Sequence, residues 1–480
     1  MKKTPILTFT LLAFLLGGNV KAQQVITDKI KVFFNHPVDT SRSNGVKATY
    51  ITNTLSDTMS AYINRAKYTV DVAQYDYTAY NSGGVGEFAT AINNAYARGV
   101  KVRWIHDGSA PNSGLKLLNS KIPTLGSPTG GNYNIMHNKF IVIDVNSPDS
   151  TQAIVWTGSA DWSSYMNTGD YNNNLTIQSK QLALAYTQEF DYMWGDTAHG
   201  GAPNLTLSKF GPYKPSVSQH TFTVGGSQIE LYFSPTDSVN QQIEKHIATT
   251  NTDIYSAMYA FSETSDASAI TAAYNRGAFA ACVMDQYSLQ YGAYNILSNY
   301  LATNLTVYTG NDIYHDKYLI VDPSNACSDP LVLTGSHNWT GSANTTNDEN
   351  TVIIHNDTIA NMYYQSFAED FLVISGSPLD TVHVNCNLGF AAINGSNVSV
   401  NAWPNPYTDK VMINYTLLQD DRVTIRVFDI TGQEVATLVK GEMQSAGEHQ
   451  LSFKGTTAGV YVLNVQVGQN GIIKKLVQVN

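Results

Sequence analysis

The chain has 480 residues, 43% hydrophobic and 14% charged, which suits one large packed core with a smaller module and excludes an intrinsically disordered chain. Its formal net charge is -10, from 28 basic and 38 acidic residues, so no global positive field is available to hold a nucleic-acid backbone. Any polyanion must be gripped by a local basic pocket.

In chain order, residues 1–22 read as an export signal. Lys2 and Lys3 precede an apolar run over 6–16, and Val20-Lys21-Ala22 places small residues at the cleavage positions, so cleavage is expected near Ala22. The run is too short to span a bilayer and no second long apolar stretch follows, so a soluble, exported chain is expected. Export permits disulfides, yet three cysteines are too few for a disulfide framework or a cysteine zinc site. Cys282 lies in an apolar run and reads as a buried small hydrophobe, while Cys327 and Cys386 are candidates to pair.

The body of the chain carries an internal repeat. Ala97-Arg98-Gly99 and a following strand ending at Asp107 return as Asn275-Arg276-Gly277 and a strand ending at Asp285, 178 residues later. His137 and His315 are separated by the same 178 residues. This divides the body into halves over 23–215 and 216–378. Each half reads as a short strand, an amphipathic helix (48–66; 239–249), a β-rich run (68–74; 253–260), a helix stopped by Arg-Gly, and another strand. Strands alternating with helices imply α/β architecture with helices covering β-sheets, and two similar halves imply a site where they meet. Residues 379–400 read as a linker. Over 401–480, short alternating segments at 411–417, 423–430, 448–453, 459–467 and 472–479 imply a small antiparallel β-sandwich.

The repeat carries the chemistry. His137-Asn138-Lys139 followed by an apolar strand to Asp144, and His315-Asp316-Lys317 followed by one to Asp322, share the spacing H-x-K-x4-D. Strand periodicity puts each His and Lys on one face with the Asp at the far end. Burying His beside Lys twice is costly unless an anion neutralises them. A phosphate diester fits: its non-bridging oxygens accept charge-assisted hydrogen bonds from both lysines, one imidazole attacks phosphorus, and the other protonates the leaving oxygen and then activates water. No metal or cofactor is required. Downstream, Thr157-Gly158-Ser159 and Thr334-Gly335-Ser336 are followed by the polar clusters Asn172-Asn173-Asn174 and Asp348-Glu349-Asn350, of which Asn174, Glu349 and Asn350 are expected to support the site.

These residues resemble the phospholipase D superfamily, whose signature is two H-x-K-x4-D motifs, each followed by a Gly-Ser and Gly-x-Asn element; the likeness covers about residues 30–375. The resemblance implies a duplicated two-lobed fold, a phosphohistidine intermediate, and a catalytic set of His137, Lys139, Asp144, His315, Lys317 and Asp322, with His137 as nucleophile and His315 as general acid. Ser159, Ser336 and Asn338 match positions near the phosphate. Asp161 stands where Asn is usual and is not counted as a ligand. The tail resembles the C-terminal sorting domain of type IX secretion in Bacteroidetes, on Pro404-Asn405-Pro406, Phe428-Asp429-Ile430-Thr431-Gly432, Ala458-Gly459-Val460-Tyr461 and Lys474-Lys475. That implies export by the type IX machinery with removal or surface attachment; a carbohydrate-binding or stabilising sandwich is the other reading.

Three functions remain open: a lipid phosphodiesterase acting on phospholipid at a membrane surface, a secreted metal-independent nuclease, and a non-catalytic surface binding protein, against which both intact motifs speak. No stable protein partner is expected. An apolar rim favours lipid and a strip of Lys/Arg favours nucleic acid. The candidates for such a strip are Lys101, Arg103, Lys116 and Lys121.

Overall fold

The computed structural model describes residues 28–479 apart from 52, 80–85, 327, 381–397, 406, 418, 430–432 and 469. The export signal and the Cys327–Cys386 pairing lie outside the described residues. Two compact units divide the chain, Met1–Val384 and Asn385–Asn480.

In the first lobe of the larger unit the order is β1 (Ile30–Phe34), β2 (Thr49–Tyr50), α1 (Leu55–Arg65), β3 (Thr69–Gln74), α2 (Gly86–Ala97), β4 (Lys101–His106), β5 (Thr124–Gly126), β6 (Lys139–Ile143), β7 (Ile154–Gly158), β8 (Asn173–Gln178) and α3 (Lys180–Trp194). The second lobe follows with β9 (Thr221–Val224), β10 (Ser227–Ser234), α4 (Val239–Ala248), β11 (Asp253–Met258), α5 (Thr264–Asn275), β12 (Phe279–Asp285), α6 (Gly292–Leu301), β13 (Leu305–Tyr308), β14 (Lys317–Val321), β15 (Leu331–Gly335), α7 (Gly341–Thr345), β16 (Glu349–His355) and α8 (Asp357–Ser375). The sheets run β2-β1-β8-β7-β6-β3-β4-β5 and β13-β12-β11-β14-β15-β16-β10-β9. Six central strands therefore recur in one order, β4-β3-β6-β7-β8-β1 matching β12-β11-β14-β15-β16-β10. The α/β duplication read from the sequence is the architecture of the unit.

Each sheet buries both faces. Outward, α1 and α2 cover the first sheet through Leu55, Ile63, Phe88 and Ile92, and α4, α5 and α6 cover the second through Ile243, Ile270 and Leu297. Inward, α3 and α8 share one core with both sheets, joining Phe140, Val155 and Phe190 to Tyr318, Val332 and Phe367. Ser179 and Asn356 cap these two helices by accepting from the amides of Leu182 and Ile359, and Gly195 and Gly376 end them at φ 76° and 75°. Gly99 and Gly277, at φ 93° and 100°, stop α2 and α5 as expected from sequence. No helix among the described residues is long and apolar enough to cross a membrane.

The expected helix over 48–66 begins only at Leu55, because Thr49 and Tyr50 pair in parallel with Phe33 and Phe34 and Asn53 turns the chain at φ 57°. In the C-terminal unit, β17 (Val398–Trp403), β18 (Val411–Leu417) and β21 (Gly447–Phe453) form one sheet, and β19 (Asp421–Asp429), β20 (Glu434–Gln444), β22 (Gly459–Val467) and β23 (Asn470–Gln478) the other. Ile413, Tyr415, Ile425, Val427, Leu463 and Val465 fill its core. Two strands escaped the sequence reading. β17 starts inside the polar stretch taken for linker, and β20 loses its alternation through register shifts against β19, with Gly441 at φ 64°.

One ion cluster ties the lobes. Lys214, in the connection between them, contacts Glu189 of α3 and Asp348 just before β16, all three fully buried. Burial opposes the ammonium, but Asp348 and then Glu189 outweigh it and hold Lys214 above its ordinary pKa. Asp348 also accepts from the Gly211 amide at 2.8 Å, and its carbonyl accepts from the His137 amide at 2.9 Å. Lys214→Met strands two carboxylates in the core, so urea unfolding of the full chain is expected to register a loss of roughly 3–5 kcal/mol; a loss under about 1 kcal/mol would show that the cluster is not needed for lobe docking.

Candidate active site

His137 and His315 each precede the edge of a motif strand, β6 or β14, at the end that meets the other lobe. Main-chain bonds cross there: the His137 amide donates to Asp348 and the Tyr171 amide to Ile313 at 2.9 Å each. His137, Lys139, His315 and Lys317 are all buried.

Each imidazole is oriented by the opposite lobe. His137 Nδ1 lies 2.7 Å from Glu349 Oε2, and His315 Nδ1 lies 3.1 Å from Asn172 Oδ1. In each case the acceptor fixes the tautomer with hydrogen on Nδ1, leaving Nε2 for chemistry. The Gly-Ser elements hold these acceptors: the Ser336 hydroxyl donates to Glu349 Oε2 at 2.7 Å and the Ser159 hydroxyl to Asn172 Oδ1 at 3.1 Å. Glycine is required beside them because a Cβ at Gly158 would stand 2.3 Å from the Asn173 carbonyl and one at Gly335 2.2 Å from that of Asn350. Asn350 donates to Thr157 of β7 at 2.7 Å and accepts from the Lys139 amide at 3.4 Å, and its counterpart Asn173 donates to Asp316, just before β14, at 2.7 Å, so each reaches into the other lobe beside its motif strand.

Between the motifs sits Asp161. Its Oδ1 is 2.9 Å from Lys139 Nζ and its Oδ2 is 3.6 Å from His315 Nε2, so one carboxylate touches residues of both halves. Lys317 donates to the His315 carbonyl at 2.8 Å. Tyr75 lies over Lys139 and Tyr259 over Lys317, at 4.9 and 5.3 Å from the ring centroids, and the same rings pack against His137 and His315. Burial, then the neighbouring lysine, pushes both imidazoles well below their ordinary pKa. Burial and then Lys139 bring Lys317 down to about 7, and burial lifts Glu349 up to about 7. Two buried lysines beside two buried imidazoles, with Glu349 and Asp161 against them, form a cluster of perturbed groups of the kind that marks a candidate functional site.

Several sequence expectations need correction. Asp144 and Asp322, grouped with the catalytic residues, lie at the far ends of their strands, at φ 55° and 52°. Asp144 accepts from the amides of Lys67, Tyr68 and Thr69, and Asp322 from those of Asn251, Thr252 and Asp253. They tie the turn before β3 and β11 and touch no reacting group. Asn174 accepts from the Trp156 indole at 3.1 Å, and Asn172 takes the place expected of it. Asn172 was findable: aligning Gly158 with Gly335 sets it opposite Glu349. Asn338 occupies the position equivalent to Asp161, and its Oδ1 is buried with no hydrogen-bond partner among the described residues. Arg103 is fully buried in ion pairs with Asp71 and Asp191, at 2.7 and 2.8 Å. Lys101 pairs with Thr69, at the opposite end of the sheet from Lys139, which pairs with Gln74. Lys116 and Lys121 are exposed on the segment bound to Asn93 of α2, in the outer helical layer.

Comparison with known proteins identifies two parts of the chain. Residues 59–194 and 243–371 match the family described as cardiolipin synthase, PLD-like domain, and residues 401–480 match the secretion system C-terminal sorting domain, which marks a chain for secretion or the cell surface. A mitochondrial cardiolipin hydrolase of Drosophila melanogaster is 29% identical over 147 residues, 28% of this chain; the chain spans only 55% of that relative's length. A phosphatidylserine synthase of Haemophilus influenzae shares the fold with a TM-score of 0.51 at 14% identity, over 73% of this chain and 89% of that one. The phospholipase D family member Nuc of Salmonella typhimurium is 28% identical over 32% of this chain and 99% of its own, with a TM-score of 0.27.

Asp161 places a negative charge where an anion must sit to reach Lys139 and His315. Asp161→Asn is therefore expected to tighten binding of inorganic phosphate or tungstate about tenfold by isothermal titration, a modest figure because the carboxylate is partly screened by solvent. Equal or weaker affinity would show that the carboxylate does not compete for the seat.

Proposed function

The chain belongs to the cardiolipin synthase, PLD-like domain family, and from that premise we propose that it is an exported phospholipase D, freed of its leader near Ala22, that hydrolyses the head-group phosphodiester of membrane phospholipids. The observation that carries the substrate class is the rim. The cations acting on the two histidines are Lys139 and Lys317, and none of Lys101, Arg103, Lys116 and Lys121 stands beside them. Near His315 stand exposed aromatic and aliphatic side chains beside the carboxylates of Asp170 and Asp312: Tyr287, stacked on Tyr259, is 43% exposed, Ile313 is 36% exposed, and Tyr165, which with Asp312 lines Gly169, is 55% exposed. Two lysines suit a single diester, and exposed Tyr and Ile suit insertion among lipid head groups. A relative named as a cardiolipin hydrolase is in keeping with a lipid substrate.

The asymmetry of the orienting groups supports the division of labour. His137 is backed by the carboxylate of Glu349, which strengthens Nε2 as a nucleophile; it attacks phosphorus, and the bond from phosphorus to the head-group oxygen breaks, leaving the phosphatidyl group on the ring. His315, backed by an amide and facing Asp161, becomes protonated once the diester's charge enters, and its Nε2 gives that proton to the leaving oxygen. Water then surrenders a proton to His315 while its oxygen attacks the phosphohistidine, breaking the P–N bond. Lys139 and Lys317 hold the non-bridging oxygens throughout.

The full chain is expected to release head groups from phosphatidylcholine–phosphatidylglycerol vesicles without added metal and to leave plasmid DNA intact. His137→Ala should lower turnover roughly 10^4-fold or more, and His315→Asn should accumulate an acid-labile phosphoprotein. Nicked plasmid with untouched vesicles would replace the lipid reading by the nuclease one, and turnover surviving His137→Ala would remove the mechanism. The pH profile gives a second check. Lys317, held down to about 7 by burial and Lys139, is charged below that value and neutral above it, so kcat/KM is expected to fall as pH rises through about 7. Lys317→Arg, whose guanidinium stays charged, should abolish that limb at whatever activity it retains.

A further inference from the structure

On the outer face of the second sheet, Glu230 of β10, His246 of α4 and His355 at the end of β16 bring one ligand atom each to within 4.8 Å of one another. Glu230 Oε2 is 3.4 Å from His246 Nε2, and Glu230 Oε1 is 3.3 Å from His355 Nε2. The carboxylate thus faces one ring with each oxygen, and the three ligand atoms stand somewhat wider than the edge of about 3.3 Å expected around zinc, so the side chains must draw in slightly to share an ion. His246 is only 3% exposed, yet neither of its ring nitrogens has a hydrogen-bond partner among the described residues. Its Nε2 faces the Glu230 carboxylate without reaching hydrogen-bond contact, and a buried Nδ1 with no partner among the described residues is a costly group to leave bare. His355 shows the complementary feature: its Nδ1 lies 2.8 Å from Asp329 Oδ2, the carboxylate–histidine relay that fixes a metal-bound ring with Nε2 facing the ion. The Tyr232 hydroxyl donates to Glu230 Oε2 at 2.6 Å and so orients the carboxylate.

We propose that Glu230, His246 and His355 form a binding site for a zinc-type divalent cation, separate from the paired His-Lys centre, with Asp329 as its supporting carboxylate and water completing the coordination. Two imidazoles and one carboxylate select a borderline transition cation over calcium or magnesium, which favour oxygen ligands. Its role is a clip. β16 runs from Glu349, which orients His137, to His355, a span of about 20 Å at about 3.3 Å per residue, so the ion is too distant to touch substrate. It instead joins β16 and β10 to α4 at the sheet's outer end. Lys245, 58% exposed with Nζ 3.8 Å from Glu230 Oε2, is a competing cation at the same carboxylate.

The test uses the full chain stripped with a chelator, then equilibrated with zinc or cobalt and freed of excess ion. The wild-type chain should retain one more zinc per molecule than His246→Gln, show a cobalt d–d spectrum of tetrahedral type that the variant lacks, and gain several degrees in Tm with zinc where the variant gains none. The two motif histidines are present in both proteins, so any zinc they take up cancels in the comparison. Asp329→Asn should weaken zinc about 10- to 100-fold, and Lys245→Ala, which leaves every ligand in place, should tighten it severalfold. Equal metal content in wild type and His246→Gln, or no response of zinc affinity to Lys245→Ala, would overturn the site and leave a proton-bridged cluster of Glu230 with two histidines. Should His246→Gln fail to fold, the Asp329 and Lys245 variants decide the matter alone.

Discussion

Everything at the centre of this protein depends on a crossed grip: the imidazole of each lobe is held by a side chain of the other. Glu349 takes His137 and Asn172 takes His315, each steadied by the serine of its own Gly-Ser turn. Neither half assembles an oriented histidine by itself. Lobe docking and site formation are therefore one event, which explains why the inter-lobe surface is polar around the histidines and apolar behind them. The shared core of α3, α8 and both sheets supplies the attraction, and the hydrogen bonds of Asn173, Asn350 and Asp348 set the register.

The grip has an electrostatic counterpart. Two lysines and two histidines meet where little water reaches, and the depressed pKa values of both imidazoles and of Lys317 measure the strain. Three devices keep the folded state tolerable: aromatic faces of Tyr75 and Tyr259 under the ammonium groups, the buried carboxylate of Glu349, and Asp161 in the gap. Only the last stands on the path of an incoming anion. Stability of the empty site and affinity for substrate thus pull on the same residue in opposite directions.

The duplication, the α/β class and the motif strands were legible because they rest on local signals: identical spacing, β-branched runs, and glycine after each helix. The meeting of His137, Lys139, His315 and Lys317 was legible for the same reason, since two copies of one spacing are hard to obtain by packing alone. What escaped was what depends on the partner strand. Asn174 and Asn172 have the same type and lie two residues apart; the pairing of Gly158 with Asn174 and the bend before β8 bring Asn172 to His315, and in the sequence only the alignment of the two Gly-Ser elements points to it. Arg103 looks like a surface cation in sequence, and its burial follows from Asp71 and Asp191 arriving from β3 and α3. The motif aspartates look catalytic by association with the motif, yet their left-handed backbone and three accepted amides make them strand anchors.

Where the two halves differ, the differences fall on the groups that face the chemistry. Glu349 stands opposite Asn172, and Asp161 opposite Asn338, while the serines, lysines, histidines and far aspartates are paired like for like. A symmetric pair of imidazoles in a symmetric field would have equal claims to attack and to donate a proton. On the proposed mechanism a carboxylate behind His137 and a carboxylate in front of His315 break that equality in one direction: the first suits a ring that gives its Nε2 lone pair, and the second a ring that carries a proton on Nε2. Both carboxylates sit where a duplicated ancestor with identical halves would have had the same residue twice. Asymmetry of role in this fold thus requires only two side-chain changes, placed across the lobe boundary from the histidines they instruct.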